Sequence, residues 1–240
     1  MRDARGVRPQ GAFVTKPRIL LSLAATAVLV LGGAAAATAA TPSGSTASAL
    51  PTPSTPSTPL DQCSTDFYEG NQLLGPARLP VLGAVGAQVV GYQRTGLDSP
   101  AQFLAEFRNS SGWIYPPDNG YVVVGDVPLE WTETLLPGED VDRYGSVYGS
   151  FLAPAGTPYA ERAIPPSSLD TPPAAGCDYH DYQVLKPFNV DCGPIAAWFD
   201  QPGGGLQFQL DGTLLPGAPA QLNVLWLLDN GYLSDITPAT

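Results

Sequence analysis

Apolar residues divide the chain into three parts. An apolar run over residues 19–31 follows a basic stretch and leads into a tract of small residues, Gly32 to Ala40. Residues 41–60 are almost entirely Thr, Ser, Pro, Gly and Ala, which predicts a semi-extended linker without a core. Apolar and aromatic residues return at Cys63 in short groups separated by Gly and Pro, as in a folded unit rich in turns.

The order of basic, apolar and small residues over 1–40 predicts a secretory signal peptide, with cleavage after Ala39 or Ala40. An uncleaved anchor is the alternative, because counting the alanines lengthens the apolar stretch to about 20 residues. The segment holds no cysteine, which excludes a lipoprotein anchor there. We therefore predict a secreted, extracellular protein that has no membrane partner once the signal peptide is removed.

Residues 61–128 predict a loop-rich N-terminal platform with one short helix. Ser99 fits the N-cap of this helix and Pro100 its first turn, while Phe103, Leu104 and Phe107 form an apolar stripe. About 65 residues with one helix make a marginal domain alone. We expect the platform to pack on the rest of the chain, and it is also a candidate surface for a homodimer.

Residues 129–240 predict an α+β domain with a small, central, mostly antiparallel sheet and few short helices. Alternation of polar and apolar residues over 179–185 indicates a half-buried strand. Lys186-Pro187 ends this strand, and residues 188–190 are predicted to continue as its partner strand.

Further strands are predicted toward the C-terminus. Residues 199–201, the glycines at 203–205 and residues 206–210 indicate a strand, a tight turn and a second strand. Residues 223–228 form a continuous apolar run that we interpret as a strand, and it ends at a turn signal over 229–231.

The charge balance excludes two classes of partner. The full chain has 11 basic and 22 acidic residues, and its net charge is −11. Without residues 1–40 it has six basic and 21 acidic residues, and its net charge is −15. The net negative charge of the protein repels nucleic acid and anionic membranes. We therefore expect neither as a partner.

Three cysteines, Cys63, Cys177 and Cys192, follow the linker. Export to an oxidising compartment favours one disulfide and one remaining thiol, and three pairings are open. The cysteine spacing does not fit a zinc site, and the chain has a single histidine, so no metal is predicted. A catalytic cysteine–histidine pair is an alternative, but cysteines of secreted proteins are mostly structural.

Three cationic side chains follow residue 129: Arg143, Arg162 and Lys186. Both arginines lie among Gly, Pro and aromatic residues, where the backbone is fixed and rings are available for stacking. Forked guanidinium groups suit a pyrophosphate, and aromatic faces suit flat rings. The alternative is that each arginine forms a surface ion pair with a nearby acid, such as Asp142 or Glu161.

Two other features are candidates for chemistry. His180 is the only histidine, and a lone histidine is more often a satisfied polar residue than a catalyst. The glycine loop at 203–205 matches neither a Walker A loop nor a dinucleotide-binding turn. Its glycines would let a ligand approach the backbone closely, with Gln207 beside it as a neutral hydrogen-bonding group.

Four motifs follow one another in the C-terminal part: DRYGSVYGSFLAPAGTPYAERAIPP, YHDYQVLKPFNV, GPIAAWFDQPGGGLQF and GYL. Over residues 135–233 they resemble the TNT (tuberculosis necrotizing toxin) domain of secreted NAD glycohydrolases. Within residues 63–124, the motifs CSTDFYEGN, LGP, GYQRTG and GWIYPPDNGY resemble the N-terminal part of secreted fungal and bacterial members. The resemblance implies a TNT-like α+β fold with a ligand cleft beside the sheet, and a toxin-type activity.

The resemblance also implies roles for single residues. Arg143 and Arg162 correspond to the two family arginines, which would hold the pyrophosphate of NAD. Tyr144 and Phe151 correspond to family aromatic residues, which would hold the nicotinamide.

The remaining roles are less directly matched. The family glutamine falls on Gln207, with Gln201 as second choice, and it would orient the ribose or the attacking water. The histidine of the toxin branch falls on His180, although other active members lack it.

The implied reaction is hydrolysis of the nicotinamide–ribose bond of NAD to ADP-ribose and nicotinamide, with NADP as a second candidate substrate. NAD is then the substrate, and no separate cofactor is implied. ADP-ribosyl transfer to a protein is the competing reaction, although no E-x-E pair lies near the motifs. A non-catalytic NAD-binding module is the third alternative. An immunity protein is a candidate partner.

Overall fold

Short elements joined by turns make up the chain from residue 59 to residue 128. The computed structural model describes residues 59–170 and 176–238, so the signal peptide predicted over 1–40 and nearly all of the linker lie outside the described residues. The elements of this first segment are α1 (Gly83–Gln88), α2 (Pro100–Phe107), and two antiparallel strand pairs, β1 (Arg108–Asn109) with β2 (Gly112–Trp113) and β3 (Val123–Val124) with β4 (Val127–Pro128).

Helix α2 forms where the sequence predicts it. The Ser99 side chain accepts a hydrogen bond from the Gln102 backbone, and the Gln102 side-chain oxygen accepts one from the Ser99 backbone N–H, which completes a capping box. Phe103 and Phe107, four residues apart, are both buried. The prediction of a capped amphipathic helix is confirmed.

A seven-stranded antiparallel sheet follows. Its strands are β5 (Trp131–Leu135), β6 (Asp140–Tyr144), β7 (Phe151–Pro154), β8 (Tyr179–Val184), β9 (Phe188–Pro194), β10 (Leu206–Gln209) and β11 (Leu233–Asp235). They lie in the order β11-β8-β6-β7-β10-β9-β5, and every neighbouring pair is antiparallel. The prediction of an α+β fold with a mostly antiparallel sheet is confirmed.

The predicted pairing of residues 179–185 with residues 188–190 is wrong. β8 pairs with β6 and β11, whereas β9 pairs with β10 and β5. A flat sheet would separate β8 from β9 by about 19 Å, but the chain from Val184 to Phe188 reaches only about 14 Å. The sheet is therefore curled, and Val184 and Phe188 both contribute to one core.

The strand predicted over residues 199–201 is also wrong. Phe199 and Asp200 have φ angles of 52° and 53°, and a single bridge joins Trp198 to Gln201. This left-handed turn places the Phe199 ring in an aromatic cluster with Phe103 and Phe107, where it is almost fully buried. Tertiary packing thus overrides the extended pattern that the residues suggest alone.

Residues 223–228 form a helix rather than the predicted strand. α3 spans Val224–Asp229, and the Asn223 side chain caps it by accepting a hydrogen bond from the Trp226 backbone. Val224 and Leu227, three residues apart, are fully buried. A six-residue apolar run does not distinguish a buried strand from a buried helix.

Within the described residues, no helix is long and apolar enough to cross a bilayer.

Three clusters of buried side chains hold the described residues together. The main core lies between one face of the sheet and α3 and includes Val141, Tyr182 and Leu227. The disulfide cluster joins Cys63 and Val85 to Tyr144, Tyr159, Leu169, Cys177 and Tyr179. The aromatic cluster joins α2 to Leu74 and Phe199. Two of the three clusters therefore bind the N-terminal segment to the part that carries the sheet.

Cys63 and Cys177 form a disulfide, which selects one of the three pairings left open by the sequence. Their Cα atoms are 5.4 Å apart and 114 residues separate them along the chain. Cys192 on β9 is a free, buried thiol, and burial raises its pKa to about 11. It therefore stays a neutral thiol at physiological pH.

We expect the double substitution Cys63→Ser/Cys177→Ser to lower the free energy of unfolding by about 2–5 kcal/mol, because the bridge closes a loop of more than 100 residues. Chemical denaturation with and without reductant measures this loss, and reductant should not affect the double variant. Thiol titration of the wild type should find no reactive group in the native protein and one after unfolding. Three thiols after unfolding without reductant would contradict the disulfide.

Candidate active site

A cavity of about 600 Å³ opens beside the sheet, where β6 ends and β7 begins. The chain from 142 to 168 supplies most of its wall, and Ile195 and Gln207 complete one side. The N-terminal segment supplies Tyr115 and residues 116 and 118–120. Five residues that the sequence singles out line this one cavity: Arg143, Tyr144, Phe151, Arg162 and Gln207.

Arg162 ends a short 3-10 helix, Tyr159–Arg162, and its side chain is almost fully buried. Its Nη2 lies 2.6 Å from Oδ1 of Asp142 and donates to Oε1 of Gln88 at 3.1 Å. Its Nε donates to the Thr157 carbonyl at 3.0 Å. Among the described residues, Nη1 of Arg162 has no protein acceptor, so this nitrogen is available to a ligand.

Asp142 is fully buried on β6 and lies in the wall of the cavity. Its Oδ2 accepts hydrogen bonds from the Gly156 backbone at 2.8 Å and from the Tyr179 hydroxyl at 3.1 Å. Burial raises the pKa of this carboxyl, and the adjacent Arg162 guanidinium opposes that rise. The pair is therefore an internal ion pair with each partner further hydrogen-bonded, not the surface pair of the alternative interpretation.

Arg143 is held by backbone groups. Its Nε donates to the Gly145 carbonyl and its Nη1 to the Phe151 carbonyl, both at 2.9 Å. Burial lowers the pKa of the guanidinium from its ordinary value. Within the described residues, no carboxylate forms an ion pair with Arg143. Its positive charge therefore remains available to an anionic ligand.

Gly145 and Gly149 form a slot for the Arg143 guanidinium. A Cβ added at Gly149 would overlap both terminal nitrogens and Cζ of Arg143, and one added at Gly145 would lie 3.2 Å from Nη2. Gly149 has an ordinary backbone conformation, whereas Gly145 has a φ of +97°. Gly149 is thus needed for the space that it leaves to the arginine and not for its own backbone angles.

Aromatic rings flank the two arginines to different degrees. The Tyr144 ring is buried, and the Arg162 guanidinium carbon lies 5.2 Å from its centroid. Phe151 is 37% exposed and Tyr115 is 61% exposed, so both rings offer a face to the cavity. Tyr115 also packs edge-on against Phe199 at 5.8 Å, which orients its ring.

Gln207 lies on β10 opposite Gly193 and is buried in the cavity wall. Its Nε2 donates to the Asn119 carbonyl at 2.9 Å. Asp118, Asn119 and Gly120 all have positive φ angles, so this carbonyl is presented by an unusual left-handed stretch. Gln201 does not line the cavity, because its amide donates to the carbonyls of Gln93 and Phe199.

The glycine loop before β10 packs closely against its neighbours. A Cβ at Gly203 would lie 2.6 Å from the carbonyl oxygens of Ile195 and Ala196, and Gly203 has a φ of +63°. Gly205 donates its backbone N–H to the Glu161 carbonyl, next to Arg162. The loop therefore connects the Gln207 strand to the Arg162 helix.

The structure does not bring His180 to the cavity wall. His180 lies opposite Arg143 on the adjacent strand β8, and its Nε2 is 3.1 Å from Oδ1 of Asp178. Its ring stacks on Tyr182 with a centroid separation of 6.1 Å. The third cation of this part of the chain, Lys186, is also elsewhere, since it binds the Asn230 carbonyl and covers the Tyr232 ring.

Sequence reasoning missed three contributors to this site. The sequence predicts Asp142 only as a surface partner of an arginine, although its place between two core positions of β6, Val141 and Tyr144, is a usable signal. Gln88 leaves no signal in the sequence, because it reaches Arg162 through a tertiary contact. Asn119 lies in the motif GWIYPPDNGY, but the motif does not indicate that its carbonyl binds Gln207.

The chain belongs to the family of the Tuberculosis necrotizing toxin, whose model matches residues 134–236. Among its curated relatives is the conidial surface nicotinamide adenine dinucleotide glycohydrolase nadA of Aspergillus fumigatus. That protein is 42% identical over 170 residues, which cover 68% of this chain and 68% of the relative.

Two solved structures show weaker similarity. The tuberculosis necrotizing toxin complexed with its immunity factor IFT has a TM-score of 0.43 and 23% identity, covering 57% of this chain and 71% of the other. Rhs1-CT in complex with its cognate immunity protein RhsI1 has a TM-score of 0.29 and 17% identity, covering 45% of this chain and 78% of the other.

We expect Gly149→Ala to displace Arg143 and to lower kcat/KM for NAD, the substrate in the name of the Aspergillus relative, by at least about tenfold. The free energy of unfolding should change by less than about 1 kcal/mol, because the new methyl group meets the end of a flexible side chain and not backbone. Steady-state cleavage and denaturation measure the two effects. In an Arg143→Ala background Gly149→Ala should have no further effect, and an equal loss in both backgrounds would refute this interpretation.

Proposed function

We propose that this chain is a secreted NAD glycohydrolase that hydrolyses the nicotinamide–ribose bond and releases nicotinamide and ADP-ribose. One observation carries the proposal: two arginines that converge on one cavity with exposed rings and a fixed amide, in an otherwise acidic protein. The 42% identical relative, named as an NAD glycohydrolase, supports the same reaction.

The arginines are assigned to the pyrophosphate. Nη1 of Arg162 and Nη2 of Arg143 have no protein acceptor among the described residues, so each guanidinium keeps a donor for a phosphate oxygen. Their remaining nitrogens are fixed by protein groups, which reduces the entropy lost when the ligand binds. Phe151 is assigned to the nicotinamide ring, and the Tyr144 ring is assigned to packing against the Arg162 guanidinium.

Bond cleavage needs little acid catalysis. Nicotinamide in NAD carries a positive charge and leaves as a neutral molecule, so the enzyme must mainly stabilise an oxocarbenium-like state and admit water. Gln207 is assigned to the ribose or the attacking water. Because its Nε2 is bound to the Asn119 carbonyl, the amide orientation is fixed and its oxygen is left as the acceptor.

The proposal also includes an extracellular location and candidate partners. The Aspergillus relative is a conidial surface protein, which supports an extracellular or surface location for this chain. Use of NADP, a homodimer through the N-terminal platform and an immunity protein remain predictions from the sequence.

Arg143→Ala, Arg162→Lys and Gln207→Ala should each lower kcat/KM for NAD by about 10²–10³-fold. Arg162→Lys keeps a positive charge beside the buried Asp142 but loses the planar fork, so it tests ligand binding without leaving a carboxylate unpaired. The assay follows etheno-NAD fluorescence and free nicotinamide. Lys186→Ala is the matched control, because this cation lies outside the cavity, and it should retain wild-type activity.

The products separate this proposal from its competitors. Free ADP-ribose as the main product supports hydrolysis, whereas label on an added acceptor protein would show ADP-ribosyl transfer. Nucleotide binding without nicotinamide release would show a binding module. Wild-type rates for both Arg143→Ala and Gln207→Ala would overturn the assigned roles.

His180→Ala tests the catalytic role predicted from the toxin branch. Since His180 contacts Asp178 and Tyr182 and does not line the cavity, we expect kcat to change by less than about threefold. A loss of 10²-fold or more in kcat, measured in the same assay with an unchanged unfolding midpoint, would restore the role of a general acid or base to His180.

A further inference from the structure

We propose that Gln88, from the N-terminal segment, is a positioning residue that fixes the guanidinium of Arg162 for substrate. This inference rests on the function proposed above. Gln88 lies outside residues 134–236, the range that the family model matches, so the segment before the TNT domain would complete the active site.

Two donors of the site converge on one oxygen of Gln88. Oε1 accepts a hydrogen bond from Nη2 of Arg162 and a second from the Tyr144 hydroxyl, both at 3.1 Å. Gln88 is only 4% exposed, and both bonds are buried. Without this acceptor, one N–H of the Arg162 Nη2, whose other partner is Asp142, and the Tyr144 hydroxyl would lose their hydrogen bonds where water does not reach them.

The acceptor at this position has to be neutral. Arg162 already has a carboxylate partner in Asp142, which is itself fully buried. A second carboxylate at position 88 would add a buried negative charge beside the first, whereas an amide oxygen adds a hydrogen bond without changing the net charge. Glutamine therefore supplies the geometry and leaves the Asp142–Arg162 pair electrically balanced.

Helix α1 holds Gln88 in place. Gln88 is its last residue, and Val85, three residues earlier, is buried in the disulfide cluster with Tyr144, Tyr159 and Cys63. In the same cluster Cys63 is bonded to Cys177, which lies two residues before the start of β8. The disulfide and the cluster thus hold the N-terminal segment against strands β6 and β8, which carry Asp142 and Tyr179.

Gln88 is not among the residues that line the cavity, so we do not expect it to touch a ligand there. Its effect would be indirect. Nε and Nη2 of Arg162 are bound by protein groups and the Tyr144 ring packs against the guanidinium, so its plane is set in the cavity wall and Nη1 is the nitrogen left for a ligand. Loss of the Gln88 acceptor releases one of these restraints, and small misplacements of a charged ligand-binding group reduce turnover strongly.

The test is a double-mutant cycle between Gln88→Met, which keeps the length of the side chain and removes the acceptor, and Arg162→Lys. In the wild-type background Gln88→Met should lower kcat/KM for NAD by about tenfold. In the Arg162→Lys background it should lower kcat/KM by less than about twofold. Equal losses in both backgrounds, or no loss in the wild-type background, would overturn the inference.

Stability is separated from positioning by a variant in the main core, away from the cavity and from α1. Leu233→Ala removes buried apolar contacts at the edge strand β11 and should lower the unfolding midpoint without changing kcat/KM. If Gln88→Met does not fold, Gln88→Asn keeps a buried amide but withdraws its oxygen by one methylene. That variant should lower kcat/KM several-fold and show the same dependence on Arg162.

Calorimetric binding of ADP-ribose gives a readout that does not require turnover. Gln88→Met should weaken this binding by about tenfold when Arg162 is present. A wild type that binds ADP-ribose in a Gln88-dependent way but does not cleave NAD would refute the proposed function alone. A wild type that cleaves NAD while the cycle is additive and binding is unchanged would refute the role of Gln88 alone.

Discussion

The buried ion pair between Asp142 and Arg162 is the interaction on which the site depends. Removing two charges from water costs several kcal/mol per ion unless each keeps further hydrogen bonds. Gly156 and Tyr179 supply them to the carboxylate, and Thr157 and Gln88 supply them to the guanidinium. These partners come from β8, from the turn before the Arg162 helix and from α1, so that satisfying one ion pair brings together three distant parts of the chain.

The two arginines are held in contrasting ways. Arg162 is neutralised by a carboxylate and fixed by the Gln88 side chain and the Thr157 carbonyl, while Arg143 has no salt bridge among the described residues and is fixed by two carbonyls and a glycine slot. Successive residues of a strand point to opposite faces, so Arg143 and Asp142 leave β6 on different sides. A ligand at the cavity would meet one rigid cation paired with a carboxylate and, among the described residues, one cation without a salt bridge, in a protein whose overall field is negative.

Local signals in the sequence were sufficient for some elements and insufficient for others. The Ser99 cap with Pro100 defines α2, and the turn over 229–231 ends an element, because both depend on residues adjacent in the chain. Strand pairing and the choice between helix and strand at 223–228 depend on distant partners, and there the predictions were wrong.

The same distinction applies to the site. Motif order was enough to predict residues that the fold gathers at one cavity, since DRYG carries Arg143, Arg162 follows GTPY by three residues, and GGGLQ carries Gln207. It did not indicate the roles of Gln88 and the Asn119 carbonyl, because both act through tertiary hydrogen bonds; Gln88 belongs to no motif, and Asn119 lies in GWIYPPDNGY, which does not reveal its contact with Gln207.

The strand order has a consequence for how the molecule folds. β5 pairs with β9, β6 with β8, and β8 with β11, so most ladders join residues that are dozens of positions apart. Chains dominated by such non-local pairs lose the entropy of closing large loops before stabilising contacts form. They therefore fold in milliseconds to seconds rather than microseconds. Gln88, Arg162 and Gln207 come from three regions that meet only when these ladders are complete. The cavity therefore needs all three regions in place, and a partly folded chain would carry the arginines without the site that they build.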